Sequence, residues 1–172
     1  MVGAEDTIDI YQRLLDNKIR VWLTGGWGID ALLEGQTRRH KDMDILILVD
    51  EVVPTRDLLG REGYGLKELW SENAWVADSE GREIPTALVL RDAEGREVDV
   101  HAMALDRQGN GIPAWTSEGL MLSREDLGGE GLIAGVRVRC LSAEMQVRAH
   151  SGYDLPPYQV QDMEMLRERL GV

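Results

Sequence analysis

Two aspartates, Asp42 and Asp44, flank a methionine at the head of a strongly β-forming run, Met43 to Val49. In an extended segment successive side chains alternate faces, so the two carboxylates project together while Met43 and Ile45 point the opposite way. Set about 7 Å apart along the strand, they can grip one divalent cation or a pair of them. An Asp-x-Asp is equally a solvated strand start, so a third carboxylate matters. Asp99 lies in the run EVDVHAM, where Asp99, His101 and Met103 share one face and Val98 and Val100 the other. An acid inside a β-branched run is unusual. Should the two strands be neighbours, three like charges meet at one point, and a cation relieves their repulsion. Cys140 is the only cysteine. Oxygen ligands without thiolates favour Mg²⁺ over zinc.

Gly25-Gly26 supplies a second half. A short apolar run, Val21 to Leu23, ends there and a helix opens, so bare backbone N–H groups and a helix N-terminus face any approaching anion. The polar loop between the glycines and the aspartates carries Arg38, Arg39 and Lys41. A phosphate cradle joined to a cation clamp by a basic loop makes a site for a metal–triphosphate. The spacing fits neither the P-loop, since no Gly-Lys-Ser/Thr follows, nor Gly-x-Gly-x-x-Gly.

The elements that must position these groups read as one mixed α/β sheet. Ile8, Tyr11, Leu14 and Leu15 recur at helical spacing, with Asp6 or Thr7 as cap. Trp27 to Leu33 reads as a helix, and Asp50 caps another that carries Pro54 in its early turn and ends before Gly63. Ala74 to Asp78 reads as a strand. Ala87–Arg91 and Glu97–Met103 flank DAEG as a hairpin, and LIAGVRVRCL makes a second one turning at Ala134-Gly135. Residues 106–130 read as irregular. Ser142 caps a helix to Ala149, YDLPPY breaks it, and Val160 to Leu170 forms the last helix. This divides the chain into a core over 1–140 and a C-terminal helical segment over 141–172.

With 172 residues, 43% of them hydrophobic, the chain can bury one domain's core. No apolar run is long enough for a membrane helix and no signal pattern opens the chain, so the cytoplasm is the expected address. The net charge of −12 repels duplex nucleic acid and suits a small cationic partner.

Taken together, Gly25-Gly26, Asp42-Met43-Asp44 and Asp99 resemble the nucleotidyltransferase fold shared with DNA polymerase β. Within that fold, GGWGIDALLEGQTRRHKDMDI is similar to the lincosamide nucleotidyltransferases first and the aminoglycoside 2″-adenylyltransferases next. The group's Gly-Gly-Trp stretch stands at Gly25 to Asp30, and its Thr-Arg-x-His-x-Asp-Ile-Asp at Thr37 to Asp44, with Met43 in place of Ile. VDVH and the HSGYDL of residues 150–155 resemble further segments of the lincosamide group. The resemblance implies an α/β (α+β) fold, a mixed sheet flanked by helices with a small C-terminal helical segment. It also implies the reaction: a nucleoside triphosphate, ATP or another, gives its monophosphate to an acceptor hydroxyl and releases pyrophosphate. Enzymes of this group often pair, so a homodimer is an expectation.

Two-metal phosphoryl transfer then suggests the roles. Asp42 and Asp44 bridge two Mg²⁺ ions, and Asp99 either completes the metal site or takes the acceptor's proton. Gly25 and Gly26 fix the triphosphate, with Arg38, Arg39 and Lys41 steadying its charge. His40 orients the loop by bonding to an aspartate. Asp30, His101 and Tyr153 stand as supporting or substrate-facing groups, and Trp27 reads as core. Glu72, Asp78, Glu83 and Glu97 are candidates to hold an amine of the acceptor, and Met121, Met145 and Met163 read as gap fillers. Other readings stay open: a nucleotidyltransferase acting on a metabolite, a protein or tRNA, or a nucleotide-binding module without transfer.

Overall fold

The computed structural model describes residues 1–116, 119–152 and 154–172. The first half runs α1 (Ala4–Asp16), β1 (Trp22–Thr24), α2 (Gly25–Leu33), β2 (Asp42–Leu48), a 3-10 turn (Val49–Glu51), α3 (Val52–Arg61) and β3 (Gly65–Leu69). Then follow β4 (Trp75–Ala77), β5 (Glu83–Pro85), β6 (Ala87–Arg91), β7 (Glu97–Leu105) and β8 (Gly111–Pro113). A second 3-10 turn (Asp126–Gly128) leads into β9 (Gly129–Ile133), β10 (Val136–Cys140), α4 (Ala143–Ala149) and α5 (Pro157–Leu170).

Seven strands lie side by side in the order β3-β6-β7-β2-β1-β10-β9, with β8 paired to β7, and β4 and β5 form a separate ribbon. The sheet is mixed: β2 runs parallel to β7 and antiparallel to β1, while β1 runs parallel to β10. Alternation along β2 divides its two faces. Met43, Ile45 and Ile47 are buried in the larger core with Tyr11 and Leu14 of α1, Trp27 of α2 and Leu59 of α3. Each fully buried side chain of this kind contributes roughly 1.5–3 kcal/mol. Leu46 and Leu48 enter a second cluster with Trp22, Met103, Leu122 and Met145. Helix α2 is buried on nearly every side, Asp30 included, because it is covered twice. Its Ile29 and Leu33 pack on Ala143 of α4 and on Met163 and Leu166 of α5.

Several boundaries differ from the sequence reading. Gly3, not Asp6 or Thr7, caps α1; Asp6 sits in the first turn and its carboxylate accepts the Gly3 N–H at 2.9 Å. Asp50 is not a helix cap either, since it accepts the Ser79 N–H at 2.7 Å across to the β4–β5 ribbon. Within 106–130, read as irregular, Gly111–Pro113 pairs with β7 because that strand outruns β6 and leaves backbone groups to satisfy. Helix α5 begins at Pro157, three residues early, as a proline's fixed φ and missing N–H suit a first turn. Met163 is buried as a gap filler would be, but Met121 is 53% exposed and fills nothing.

Candidate active site

Where β1, β2 and β7 lie together, Thr24, Asp44 and Asp99 stand opposite one another in register, and Asp42 stands opposite Glu97. Neighbouring strands are about 4.8 Å apart, so the row brings these carboxylates within one small volume. The next residue after Thr24 is Gly25, so the glycine turn leaves β1 directly beside Asp44. Gly25 has φ +56°, a left-handed value that costs an L-residue about 1–2 kcal/mol. A Cβ there would also collide with the Asp44 carboxylate. At Gly26 a Cβ would run into the His40 ring. Both glycines are therefore required by close approach, and they keep the first N–H groups of α2 bare.

The carboxylates are electrostatically strained. Burial, then the charges of Asp42 and Asp99, pushes the Asp44 carboxyl well above its ordinary range, and Arg38 alone opposes this. Asp99 is 6% exposed and its Oδ1 has no hydrogen-bond partner. Burial first, with Asp42 and Glu97, pushes its carboxyl up to about 7. Among the described residues no group of three or more His, Cys, Asp or Glu side chains is placed to hold a metal ion, so the expected meeting of three carboxylates at one point is not seen. The carboxylates form an open row instead. An orphaned buried oxygen within such a row fits a divalent cation that shares its coordination with a phosphate. Glu97 belongs to a different arrangement. Burial opposes its charge, but Lys67 at 3.0 Å and Lys41 at 3.2 Å hold its carboxyl below the usual range.

The loop between α2 and β2 is held from beneath. Asp30, 2% exposed, accepts the Thr37 N–H at 3.0 Å and its hydroxyl at 2.6 Å through one oxygen. Its other oxygen meets His40 Nε2 at 2.5 Å. His40 thus bonds to an aspartate, and that aspartate is Asp30. Trp27 is buried with its ring 4.6 Å from the His40 ring. Arg38 turns back toward α5, donating to Asp162 at 3.1 and 3.0 Å. Arg39 is exposed and reaches the mouth of the cleft. Tyr153 lies outside the described residues.

A cleft of about 1010 Å³ opens over Thr24, Asp42 and Asp44, while Asp99 lies buried behind its lining. One end carries Gly25, Gly26, Arg38, Asp42 and Asp44; the other carries Leu46, Trp115, Leu122, Leu141 and Met145. His101 lines the second end, edge-on to Trp115 at 4.9 Å, and meets Glu72 at 3.2 Å. Burial lowers the His101 pKa despite Glu72. Burial also opposes the charge of Glu72, yet its own backbone N–H, His101 and Ser71 hold its carboxyl below the usual range. Of the four acids expected to hold an amine, Glu72 alone lines the cleft. Asp78 folds back onto Arg82, Glu97 is paired as above, and Glu83 lies exposed on the β4–β5 ribbon.

The sequence model of the aminoglycoside-2″-adenylyltransferase family matches residues 6–166. The chain belongs to that family. It is a nucleotidyltransferase, an aminoglycoside-2″-adenylyltransferase relative over nearly its whole length. It is 27% identical over 148 residues to a lincosamide resistance protein of Staphylococcus haemolyticus, covering 86% of this chain and 82% of that protein. Among solved structures it is similar to the lincosamide antibiotic adenylyltransferase LnuA with lincomycin bound, with a TM-score of 0.79 at 27% identity, covering 96% of this chain and 97% of that one. ANT(2″)-Ia in complex with adenylyl-2″-tobramycin shares the fold, with a TM-score of 0.66 at 19% identity over 98% of this chain and 89% of that one.

Thr24 and Trp115 of the cleft lining, and Asp162 behind it, were not singled out for the site by sequence. Thr24 precedes the glycines but carries no motif signal. Trp115 sits in a stretch with no periodicity, and the partner of Arg38, Asp162, is 124 positions away.

Proposed function

We propose that this family member moves a nucleoside monophosphate from a nucleoside triphosphate, ATP first, to a hydroxyl of a small amine-bearing antibiotic. The lincosamides are the first acceptor class and the aminoglycosides the second. The observation that carries the reading is the Thr24–Asp44–Asp99 row, with its unpartnered buried oxygen, set directly beside the glycine turn. Asp42, Asp44 and Asp99 would hold Mg²⁺, two ions by the usual chemistry of such transfers. When bound, the metal neutralises triphosphate charge and stabilises the leaving pyrophosphate. The bare N–H groups after Gly25 and the Arg38 guanidinium bind the phosphate oxygens and align the α-phosphorus with the acceptor. The acceptor oxygen forms a bond to that phosphorus as the bond to the β-phosphate bridging oxygen breaks, and the hydroxyl proton leaves to a base. Two roles suit Asp99. Loss of cation affinity in Asp99→Asn marks a ligand, and retained affinity with slowed transfer marks the base.

The far end of the cleft supports the order of acceptors. It offers an apolar wall of Leu46, Trp115, Leu122, Leu141 and Met145 and one added carboxylate, Glu72. A singly charged amphiphile matches that wall, whereas a polycationic sugar calls for several carboxylates and little apolar surface. A triphosphate donor also makes the cytoplasm the expected place of action, in keeping with the lack of any membrane-crossing helix among the described residues.

The test is pyrophosphate release by purified protein with Mg²⁺ and each nucleoside triphosphate, across lincomycin, clindamycin and several aminoglycosides. The reading expects release that requires a lincosamide and vanishes in Asp44→Ala. Release with aminoglycosides alone reverses the acceptor order, and silence across the panel overturns the antibiotic reading.

A further inference from the structure

Arg38 does more than lend charge to a flexible loop. Its Nε and Nη2 both donate to one oxygen of Asp162, which is 2% exposed on α5. Its guanidinium lies over the Tyr158 ring, 4.7 Å from the centroid. A Cβ built on Gly26 would sit 3.1 Å from Arg38 Nη2, so the guanidinium hangs directly over the second glycine of the turn. The arginine is held by one edge and by its face, and it lines the cleft. A guanidinium can serve a carboxylate with one edge and an anion with the other, which a lysine ammonium cannot do with the same fixed geometry.

We infer that Asp162 and Tyr158 are positioning residues for the triphosphate site, holding the Arg38 guanidinium beside the phosphate cradle with Nη2 nearest Gly26, while Nη1 donates to the Arg39 carbonyl at 3.4 Å. The last helix is thereby a working wall of the nucleotide site. The loop is clamped twice by buried acids from different elements: Asp30 of α2 fixes Thr37 and His40, and Asp162 of α5 fixes the arginine between them. The inference rests on the reading of this cleft as a nucleoside triphosphate site.

The test is binding of ATP with Mg²⁺, acceptor absent, by calorimetric titration of the full chain, in wild type, Asp162→Asn, Arg38→Met and the double variant. Asp162→Asn is expected to weaken ATP about tenfold, by analogy with the loss of a group that orients a ligand. In the Arg38→Met background it is expected to add nothing, because its effect runs through the arginine. Unchanged ATP affinity in Asp162→Asn, or equal weakening in both backgrounds, would overturn the inference and assign the pair to anchoring α5. Should Asp162→Asn fail to fold, Tyr158→Leu decides, at a residue 48% exposed. ATP affinity a few-fold weaker there supports the inference, and wild-type affinity overturns it. Wild-type protein that binds no ATP removes both this inference and the reading beneath it. Tight ATP binding without transfer to any antibiotic touches the acceptor reading alone.

Discussion

Two sets of aspartates divide this molecule. Asp78, Asp92 and Asp106 each open a five-residue turn, DSEGR, DAEGR and DRQGN, with glycine at φ +78°, +78° and +86° in its fourth place. In all three the carboxylate accepts the backbone N–H of the fifth residue at 2.8 Å and a side-chain N–H of that same residue. Burial opposes the charge of Asp78 and Asp92, but these bonds hold all three carboxyls below the usual range. Asp44 and Asp99 are the reverse case: half-buried and buried respectively, crowded by like charge, raised, and, at Asp99 Oδ1, unpartnered. The turn acids are satisfied by their own chain within four residues. The site acids are left for something that binds. A carboxylate whose needs the fold does not meet is the one to suspect of function.

The contrast is broken most severely at Asp44. Asp44→Asn is expected to cut transfer by more than about a thousandfold, since it removes a proposed cation ligand. The melting temperature of the metal-free protein should hold or rise, because a repelling, half-buried charge is gone. Pyrophosphate release and calorimetry read the two, and a fall in stability with activity intact would contradict the account. Asp30→Asn should be intermediate. It loosens His40 and the loop above it without touching the row, and a loss of about 10–100-fold in kcat/KM is expected.

Asp92→Asn sharpens the comparison from the other side. It should cost about 1.5–3 kcal/mol of stability, the value of a hydrogen bond to a charged group, and leave transfer at the wild-type rate. The pH dependence has a definite sign. A carboxyl held below its ordinary value stabilises the fold above that ordinary value and ceases to as pH falls through the lower one. Stability should therefore drop on acidification below about pH 4, and Asp92→Asn should make that acid limb shallower, as followed by denaturant midpoints across pH.

The same contrast explains what could be read from residues alone. Short-range features were legible: alternation set Asp42 and Asp44 on one face of β2, the DAEG turn marked the β6–β7 hairpin, and Ser142 announced α4. Strand β3 was not, because every residue from Gly65 to Leu69 is exposed and an edge strand without a buried face shows no period. The 106–130 stretch hid β8 because three residues cannot display a pattern. At the site, glycine turn and aspartate pair were visible because each is local. The Asp30–His40 bond spans ten positions and was expected only as a bond to some aspartate. The Arg38–Asp162 pair had no signal, since chain separation carries no information about which acid a loop arginine will meet. Choosing among the four acidic candidates likewise needed the cleft: Glu72 and Glu97 look alike in sequence, yet one faces the cavity and the other is spent on two lysines.

The central claim is that the row beside the glycine turn is where a divalent cation binds. Titrating the metal-free protein with Mn²⁺ in the presence of ATP, followed by water-proton relaxation, tests it directly. The account predicts saturable binding in wild type and Asp92→Asn that is lost in Asp42→Asn and Asp44→Asn. Undiminished Mn²⁺ binding in both site variants would contradict it.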